Sequence, residues 1–188
     1  DLLLKEYSEE NIEIIIVNNG STDNSATLIK EHELYIKNKI SLLNIDKNKG
    51  YGDGINRGIS HSNGQIICWF HADLQFDPID AIKIYKNYKS SLYSHQIMIK
   101  GKRINRSLFD TFFTFGMSIF TFLLFRKKIN DINAQPKMFN RSFLKLINNP
   151  PIDFSYDVYF LLIAAKNNIK ISEIPVKWYD RNAGIAKG

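Results

Sequence analysis

Short apolar runs alternate along the chain with longer stretches whose apolar residues are spaced as on one face of a helix. The run at 12–17 is rich in β-branched residues and precedes Asn18-Asn19-Gly20, which is typical of a buried strand that ends in a turn. The same pattern predicts strands at 12–17, 40–45, 65–70, 97–101, 137–139 and 169–174. It predicts helices at 1–10, 24–37, 79–93, 107–125, 141–148 and 153–166, and a glycine-rich loop that leads into a helix ending near residue 63. Strands that alternate with helices predict an α/β sheet with right-handed crossovers.

Length and composition restrict the class of protein. The 188 residues suit one domain spanning 1–188, and 44% apolar with 23% charged residues is ordinary for a globular chain. This composition excludes a disordered chain, a collagen-like repeat and a polytopic membrane protein. The single cysteine, Cys68, excludes a disulfide framework and a cysteine-based zinc site, and it favours a reducing compartment.

The chain carries an excess of positive charge. It has 25 Lys and Arg residues against 19 Asp and Glu residues, a formal net charge of +6. Such an excess suits an anionic partner: nucleic acid, a phosphorylated ligand or an anionic membrane surface. The basic residues are scattered and match no nucleic-acid-binding motif, so we expect no nucleic-acid partner.

Polar residues follow three predicted strands, at 18–23, 71–75 and 101–103, where the carboxyl ends of an α/β sheet place ligands. Three clusters, at 17–23, 48–58 and 71–75, could carry the chemistry. In the first, at 17–23, Asn18, Asn19 and Asp23 could hydrogen-bond a base or a ribose. The alternative is an ordinary turn between a strand and a helix, for which these residue types are also favoured.

The second cluster, at 48–58, is rich in glycine and contains Asn48 and Gly50. Glycines allow backbone amides to approach a diphosphate, and a helix N-terminus favours anions. The segment has neither the ending of a P-loop nor the G-x-G-x-x-G pattern. The alternative is a glycine-rich turn that makes a close contact with a helix.

The third cluster reads His71-Ala72-Asp73-Leu74-Gln75. On an extended segment the side chains of His71 and Asp73 point the same way, and Gln75 continues that face, so the three could hold one divalent cation. Mg²⁺ prefers oxygen ligands, whereas Mn²⁺ tolerates an imidazole better. The alternative is a strand end that binds no metal.

Together these clusters resemble the nucleotide-sugar-binding half of a family-2 glycosyltransferase with the GT-A fold, and most closely the dolichyl- or polyprenyl-phosphate sugar transferases. The resemblance rests on V-N-N-G-S-T-D at 17–23, N-K-G-Y-G-D-G-I-N-R-G-I at 48–59 and H-A-D-L-Q at 71–75. Later segments agree, at 100–103, 131–139, 156–158, 171–176 and 181–187. The fold implied is a mostly parallel, Rossmann-like sheet flanked by helices.

The resemblance also implies roles for individual residues. Asp73 would bind a divalent metal, Mg²⁺ or Mn²⁺, beneath the donor diphosphate, with His71 and Gln75 as further ligands. Asp131 and Arg103 would be the catalytic residues: Asp131 as a base or a positioning carboxylate, and Arg103 facing a phosphate. The donor-binding residues would be Asn18, Asn19, Asp23, Asn48, Gly50, Ala72, Asp73, Arg181 and Lys187.

The sequence departs from the family pattern in several places. His71 replaces the first Asp of the usual D-x-D, Asn18-Asn19 replaces an Asp pair, Gln135-Pro136 replaces G-F, and Tyr159 replaces a Glu. The family's opening strand, with its P-x-Y-N-E signature, has no counterpart, so we expect a fragment that lacks this N-terminal strand.

The segment at 107–128 raises the question of a membrane. Residues 111–125 are 15 uncharged residues with six Phe, and Arg126-Lys127-Lys128 follow. A single span needs about 20 residues, so a transmembrane helix is not expected. The segment is interpreted as a buried core helix or as a helix in the membrane interface, with its basic end near anionic head groups.

By resemblance, the chain would transfer a sugar from a nucleoside-diphosphate sugar to a polyprenyl phosphate or a glycan hydroxyl, with inversion. The setting implied is the synthesis of cell-surface polysaccharide or glycolipid, in the cytoplasm or at the inner face of the plasma membrane. The alternative, motivated by His71 and the two asparagines, is a non-catalytic domain that binds a nucleotide sugar.

Overall fold

The computed structural model describes residues 11–104 and 131–179, which form an α/β structure. The predicted helix at 107–125 and the residues Arg181 and Lys187 lie outside the described residues. The chain divides into two compact units: residues 1–65 with 148–159, and residues 66–147 with 160–188. Helix α5 (Tyr156–Lys166) begins in the first unit and continues in the second.

The described residues of the first unit form a pair of parallel strands, three complete helices and the start of α5. Strand β1 (Ile15–Asn19) pairs with β2 (Ser41–Ile45) from Ile15 opposite Ser41 to Asn19 opposite Ile45. The helix predicted at 24–37 is two helices, α1 (Ser25–Glu31) and α2 (Glu33–Ile36). The break lies at His32, whose backbone is extended and whose Nδ1 accepts a hydrogen bond from the Leu34 amide at 3.2 Å. A capping side chain thus starts a new helix inside one predicted helix.

The glycine-rich segment is a helix, which corrects the loop expected from the sequence. Helix α3 (Tyr51–His61) begins directly after Gly50, and Gly52, Gly54 and Gly58 lie within it. A Cβ atom at Gly52 would lie 2.4 Å from the Pro151 carbonyl oxygen, and one at Gly58 would lie 2.8 Å from a Val17 methyl carbon. These glycines therefore allow α3 to pack closely against its neighbours.

The second unit is built on a four-stranded sheet in the order β3-β5-β4-β6. Its strands are β3 (Ile66–Trp69), β4 (Ile97–Ile104), β5 (Lys137–Asn140) and β6 (Lys170–Lys177). Strands β4 and β6 are parallel, whereas β5 is antiparallel to both β3 and β4. The described sheet is therefore mixed, where a mostly parallel one was expected.

The two faces of this sheet are covered differently. Helix α4 (Pro78–Tyr93), capped by the Asp77 carboxylate, packs on one face over a hydrophobic cluster that includes Ile97, Ile99 and Met138. The other face carries aromatic side chains, in which Trp69, Phe139 and Phe160 make ring contacts at 5.3–5.8 Å. The helix predicted at 141–148 is a short 3₁₀ helix (Arg141–Leu146). Within the part of the chain that is described, no helix combines the length and apolar character needed to cross a membrane.

The packing of α3 generates a prediction about stability. Gly52→Ala should lower the free energy of unfolding by about 1–3 kcal/mol because the new methyl group meets a backbone carbonyl that cannot rotate away. This loss should outweigh the gain of about 1 kcal/mol in helix propensity. Gly58→Ala, in the same helix but against a side-chain methyl, is the matched control and should change stability less. Urea unfolding of both variants measures the difference; equal effects would contradict the close packing at Gly52.

Candidate functional site

In the first unit, Asn18 has a structural role at the end of β1. Its Nδ2 donates to Asn44 Oδ1 at 2.6 Å, and its Oδ1 accepts from the Ser21 amide at 3.2 Å. The side chain is buried. Asp23 likewise accepts from the Ser25 amide at 3.0 Å, at the start of α1. Both residues therefore stabilise the strand-to-helix turn.

Asn19, Asn48 and Gly50 lie together, as the sequence predicted. Asn19 Nδ2 donates to the Gly50 carbonyl oxygen at 3.0 Å and to Asn48 Oδ1 at 3.3 Å, and Asn48 Oδ1 also accepts from the Gly50 amide at 2.8 Å. Asn19 Oδ1 is buried and has no hydrogen-bond partner among the described residues. Because such an atom is costly to leave unsatisfied, the cluster contains an acceptor suited to a ligand N–H group.

Residues 148–159 add contacts that the sequence reasoning did not assign. A Cβ atom at Gly50, where φ is +141°, would lie 2.2 Å from the Ile152 carbonyl oxygen. The Tyr51 ring stacks on Phe154 at 5.2 Å, and the Tyr51 hydroxyl donates to Asp157 Oδ2 at 3.0 Å. The only signal in the sequence was the resemblance at 156–158, which gave Asp157 no role.

In the second unit, the His71–Gln75 segment follows β3 as a bend. Leu74 has φ of +61°, so the segment is not extended, and the expectation that Gln75 continues one extended face is wrong. Asp73 Oδ1 accepts from the Gln75 amide at 3.1 Å. The Gln75 amide is assigned the orientation in which both of its ends have hydrogen-bond partners. Its nitrogen then donates to Asp73 Oδ2 at 3.0 Å, and its oxygen accepts from Trp178 Nε1 at 3.2 Å. Gln75 therefore holds the carboxylate in place.

Two of the predicted ligands are compatible with a divalent cation. His71 Nδ1 lies 3.9 Å from Asp73 Oδ2, and both side chains are partly exposed. Across residues 11–104 and 131–179, no group of three or more His, Cys, Asp and Glu side chains is placed so that it could hold a metal ion. The pair fits an open site, in which two protein ligands leave positions for phosphate and water oxygens.

Asp131 is buried and paired with Arg103. The Arg103 amide donates to Asp131 Oδ2 at 2.8 Å, its Nε donates to Oδ1 at 2.9 Å, and its Nη2 also contacts Oδ1. Burial raises the pKa of the Asp131 carboxyl, but the hydrogen bonds and charge of Arg103 outweigh it, so the pKa lies below its usual value. The Arg103 guanidinium also lies 5.1 Å from the centre of the Trp178 ring. Asp131 is therefore an ionised group with weak basicity.

Two buried lysines near this pair were also missed. Lys100 and Lys137 are fully buried at neighbouring positions on β4 and β5. Burial lowers the pKa of Lys100 to about 8, against the raising effect of Glu173. The sequence signal was a lysine at the end of the apolar run Ile97-Met98-Ile99, which resembles an ordinary strand end.

Comparison with known proteins decides the family. Residues 2–146 match the profile described as glycosyl transferase family 2. The chain belongs to this family. It is 30% identical over 197 residues to a dolichyl-phosphate beta-glucosyltransferase of Dictyostelium discoideum, covering 93% of this chain and 58% of that one. It is 27% identical over 205 residues to UDP-N-acetylglucosamine--dolichyl-phosphate N-acetylglucosaminyltransferase of Methanococcus voltae, covering 98% and 81%.

Solved structures show the same fold. Glucosyl-3-phosphoglycerate synthase from Mycobacterium tuberculosis, in complex with Mn²⁺, UDP-glucose and phosphoglyceric acid, has a TM-score of 0.70 at 14% identity, covering 97% of this chain and 66% of that chain. Its complex with Mn²⁺, UDP and glucosyl-3-phosphoglycerate has a TM-score of 0.68, covering 92% and 62%. The expected α/β GT-A fold is therefore confirmed. The chain spans 54–58% of the length of several dolichyl-phosphate beta-glucosyltransferases that it matches.

The Asp131–Arg103 pair predicts a pH-dependent contribution to stability. Because the pKa of Asp131 is lower in the folded chain than in the unfolded one, its carboxylate stabilises the fold above about pH 4, and this contribution is lost as the pH falls through the folded-state pKa. Asp131→Asn should therefore cost about 3 kcal/mol at pH 7, and the difference from the parent should shrink below pH 4.

Urea unfolding at pH 7, 5 and 3 measures this dependence. The matched control is Asp46→Asn, which removes an exposed carboxylate and should change the free energy of unfolding by no more than about 0.5 kcal/mol at each pH. A difference between Asp131→Asn and the parent that stays constant from pH 7 to pH 3 would contradict the assignment.

Proposed function

We propose that the chain catalyses transfer of a sugar from a nucleoside-diphosphate sugar to a polyprenyl phosphate, with inversion. The observation that carries the proposal is the Asp73 carboxylate, held by Gln75 at the end of β3 with His71 beside it, in a chain of glycosyltransferase family 2. The acceptor class is supported by the dolichyl-phosphate transferases among its relatives. The donor class is supported by structural neighbours solved with UDP and UDP-glucose.

Asp73 and His71 are proposed to hold a divalent cation. The cation would neutralise charge that develops on the departing diphosphate. An imidazole ligand favours Mn²⁺ over Mg²⁺. Gln75 would keep the Asp73 carboxylate in one orientation, so that the ion meets a fixed ligand.

The amide cluster of the first unit is proposed to bind the donor nucleotide. Asn19 Oδ1 would accept a hydrogen bond from a base N–H, since this buried oxygen has no partner among the described residues. Asn48 and Gly50 hold the Asn19 side chain by accepting hydrogen bonds from its Nδ2. Neutral amides in place of the family's Asp pair would recognise the base without a carboxylate. Arg181 and Lys187 remain proposed phosphate-binding residues on the basis of the sequence, as does Ala72 for the donor.

The low pKa of Asp131 favours a phosphate acceptor over a sugar hydroxyl. A hydroxyl must lose a proton as it attacks, which calls for a base whose pKa lies near the working pH. Asp131 is ionised and held by Arg103, so it accepts a proton poorly. A phosphate monoester is already ionised at neutral pH, since its second pKa is about 6. Its oxygen can attack the anomeric carbon as the bond to the diphosphate breaks, and Asp131 then acts by positioning Arg103.

The metal role predicts the behaviour of Asp73 variants. Asp73→Asn should lower sugar transfer by about 100-fold or more, because the neutral amide binds the cation poorly. The assay uses the 188-residue chain with UDP-[¹⁴C]glucose and a polyprenyl phosphate, with Mn²⁺ and after chelation by EDTA. His71→Asp, which creates two carboxylates, should raise activity with Mg²⁺ relative to Mn²⁺.

The control for this assay is Asp80→Asn, in the first turn of α4, where the partly exposed carboxylate pairs with the exposed Lys83. It should leave transfer unchanged. Equal activity of Asp73→Asn and the parent would overturn the metal role. UDP-glucose binding without any transfer by the parent would instead favour a non-catalytic nucleotide-sugar-binding domain.

A peripheral membrane contact through 107–128 at the cytoplasmic face is a further part of the proposal, supported by the sequence pattern alone. Flotation with phosphatidylserine-containing vesicles tests it. Replacing Arg126, Lys127 and Lys128 by Ser should reduce the bound fraction several-fold, since each basic residue near an anionic surface contributes about 1 kcal/mol. Replacing the exposed Lys30, Lys37 and Lys39 by Ser removes the same charge and should have a smaller effect. Equal losses in the two triple variants would indicate attraction by net charge alone.

A further inference from the structure

A row of polar and aromatic side chains crosses the sheet of the second unit. Trp69 lies opposite Lys137, Lys137 opposite Lys100, and Lys100 opposite Glu173, one residue from each of the four strands. Residues that lie opposite each other in a sheet share a face. Two lysines therefore occupy the middle of the face that carries the aromatic cluster.

The Lys100 ammonium is fully buried and held by three oxygens. Its Nζ donates to the carbonyl oxygens of Gly101 and Asp131, both at 3.0 Å, and lies 3.6 Å from Glu173 Oε1. A buried charge with one carboxylate partner contributes little to stability, and an apolar side chain of similar size is often as stable or more so. Stability alone therefore does not account for a lysine at this position.

What the ammonium holds is the backbone of Asp131. Lys100 binds the carbonyl oxygen of that residue, while Arg103, three positions further along β4, binds its carboxylate. Asp131 has φ of +42°, a conformation that side chains other than glycine rarely adopt. Lys100 and Arg103, both on β4, thus bind the carbonyl oxygen and the carboxylate of a residue with a strained backbone.

The chain after Asp131 is also fastened to β4. The Gly101 amide donates to the Pro136 carbonyl oxygen at 2.9 Å, and a Cβ atom at Gly101 would lie 1.9 Å from the Gln135 carbonyl oxygen. Lys137 donates to the Ala134 carbonyl oxygen at 3.2 Å. The Asp131 carbonyl oxygen also accepts from the Ala134 amide at 3.0 Å, within its own segment, whereas Lys100 connects that oxygen to β4.

We propose that Lys100 is a positioning residue, whose ammonium holds Asp131 against Arg103, and that loss of its proton loosens this pair. The consequence for sugar transfer rests on the proposed function, whereas the structural coupling does not. Lys100 has not been assigned a role by its place in any motif of the sequence. It acts through Asp131 and touches no substrate, because it is fully buried.

Among the residues that the structure describes, three charged groups face the Lys100 ammonium. Glu173 on β6 and Asp131, in the segment before β5, favour its protonated form, and Lys137 on β5 disfavours it. Together with burial they bring the pKa to about 8. The coupling should therefore be lost in mildly alkaline solution, well below the pH at which an exposed lysine loses its proton.

Trp178 provides a readout that requires no enzymatic activity, because its ring lies 5.1 Å from the Arg103 guanidinium. In a Trp69→Phe background, Trp178 is the sole tryptophan. We expect its emission to change between pH 7 and pH 9.5, with a midpoint near 8. Lys100→Met should abolish this transition and show at pH 7 the emission that the parent reaches at pH 9.5. An unchanged transition in Lys100→Met, or none in the parent, would overturn the proposal.

Two further variants keep the test decisive if Lys100→Met fails to fold, which far-ultraviolet circular dichroism would reveal. Glu173→Gln removes a favourable charge and should lower the midpoint by roughly one pH unit. Lys137→Met removes a charge that repels the Lys100 ammonium and should raise the midpoint of the transition. Opposite shifts support titration of Lys100; identical midpoints in the three proteins would refute it.

The transfer assay then connects the coupling to the proposed function. Lys100→Met should lower kcat about 10- to 100-fold while leaving the KM for UDP-glucose within about twofold, as expected for loss of one charge-assisted hydrogen bond. A fluorescence transition with unchanged kcat would retain the coupling and reject its catalytic role. Absence of transfer in the parent would reject the proposed function and leave the fluorescence result standing.

Discussion

The buried contact between Asp131 and Arg103 is the constraint on which the second unit depends. One carboxylate receives both the amide and the guanidinium of a single residue, so neither side chain can move without leaving a buried charge unpaired. The contact forms because Gly101 lets the 131–136 segment pass against β4, where any side chain would collide with Gln135. The end of β4 and this segment are thereby tied together, and the orientation of Arg103 is fixed.

In the first unit, neutral groups hold the side chains of the amide cluster in place. Asn19, Asn48 and Gly50 form a closed set of amide hydrogen bonds that leaves one oxygen, Asn19 Oδ1, without a partner in the described chain. Neutral amides are less costly to bury than carboxylates, so this cluster needs no counter-charge. The glycines of α3 serve the packing around it; a Cβ atom at Gly54 would lie 2.8 Å from Asn19 Nδ2.

The sequence located most elements because β-branched runs and helix caps are local signals. It placed the first strand at 12–17 where β1 is Ile15–Asn19, and it placed the His71–Gln75 cluster after β3. It could not give the antiparallel direction of β5, which depends on pairing with distant strands. Likewise, a helix can have glycine at position 52 because any larger residue would collide with Pro151, about a hundred residues away.

Lys100 shows why part of the site could not be predicted from the sequence. A lysine beside a glycine resembles an exposed strand end, and only the fold reveals that it is buried between β5 and β6.

The charges around Asp131 bear on the proposed acceptor. The described cluster holds three cations, Lys100, Lys137 and Arg103, against the carboxylates of Asp131 and Glu173. This balance leaves a net positive charge, which attracts an anion and gives a neutral hydroxyl no advantage. The proposed phosphate acceptor, which would bring its own negative charge, fits this balance.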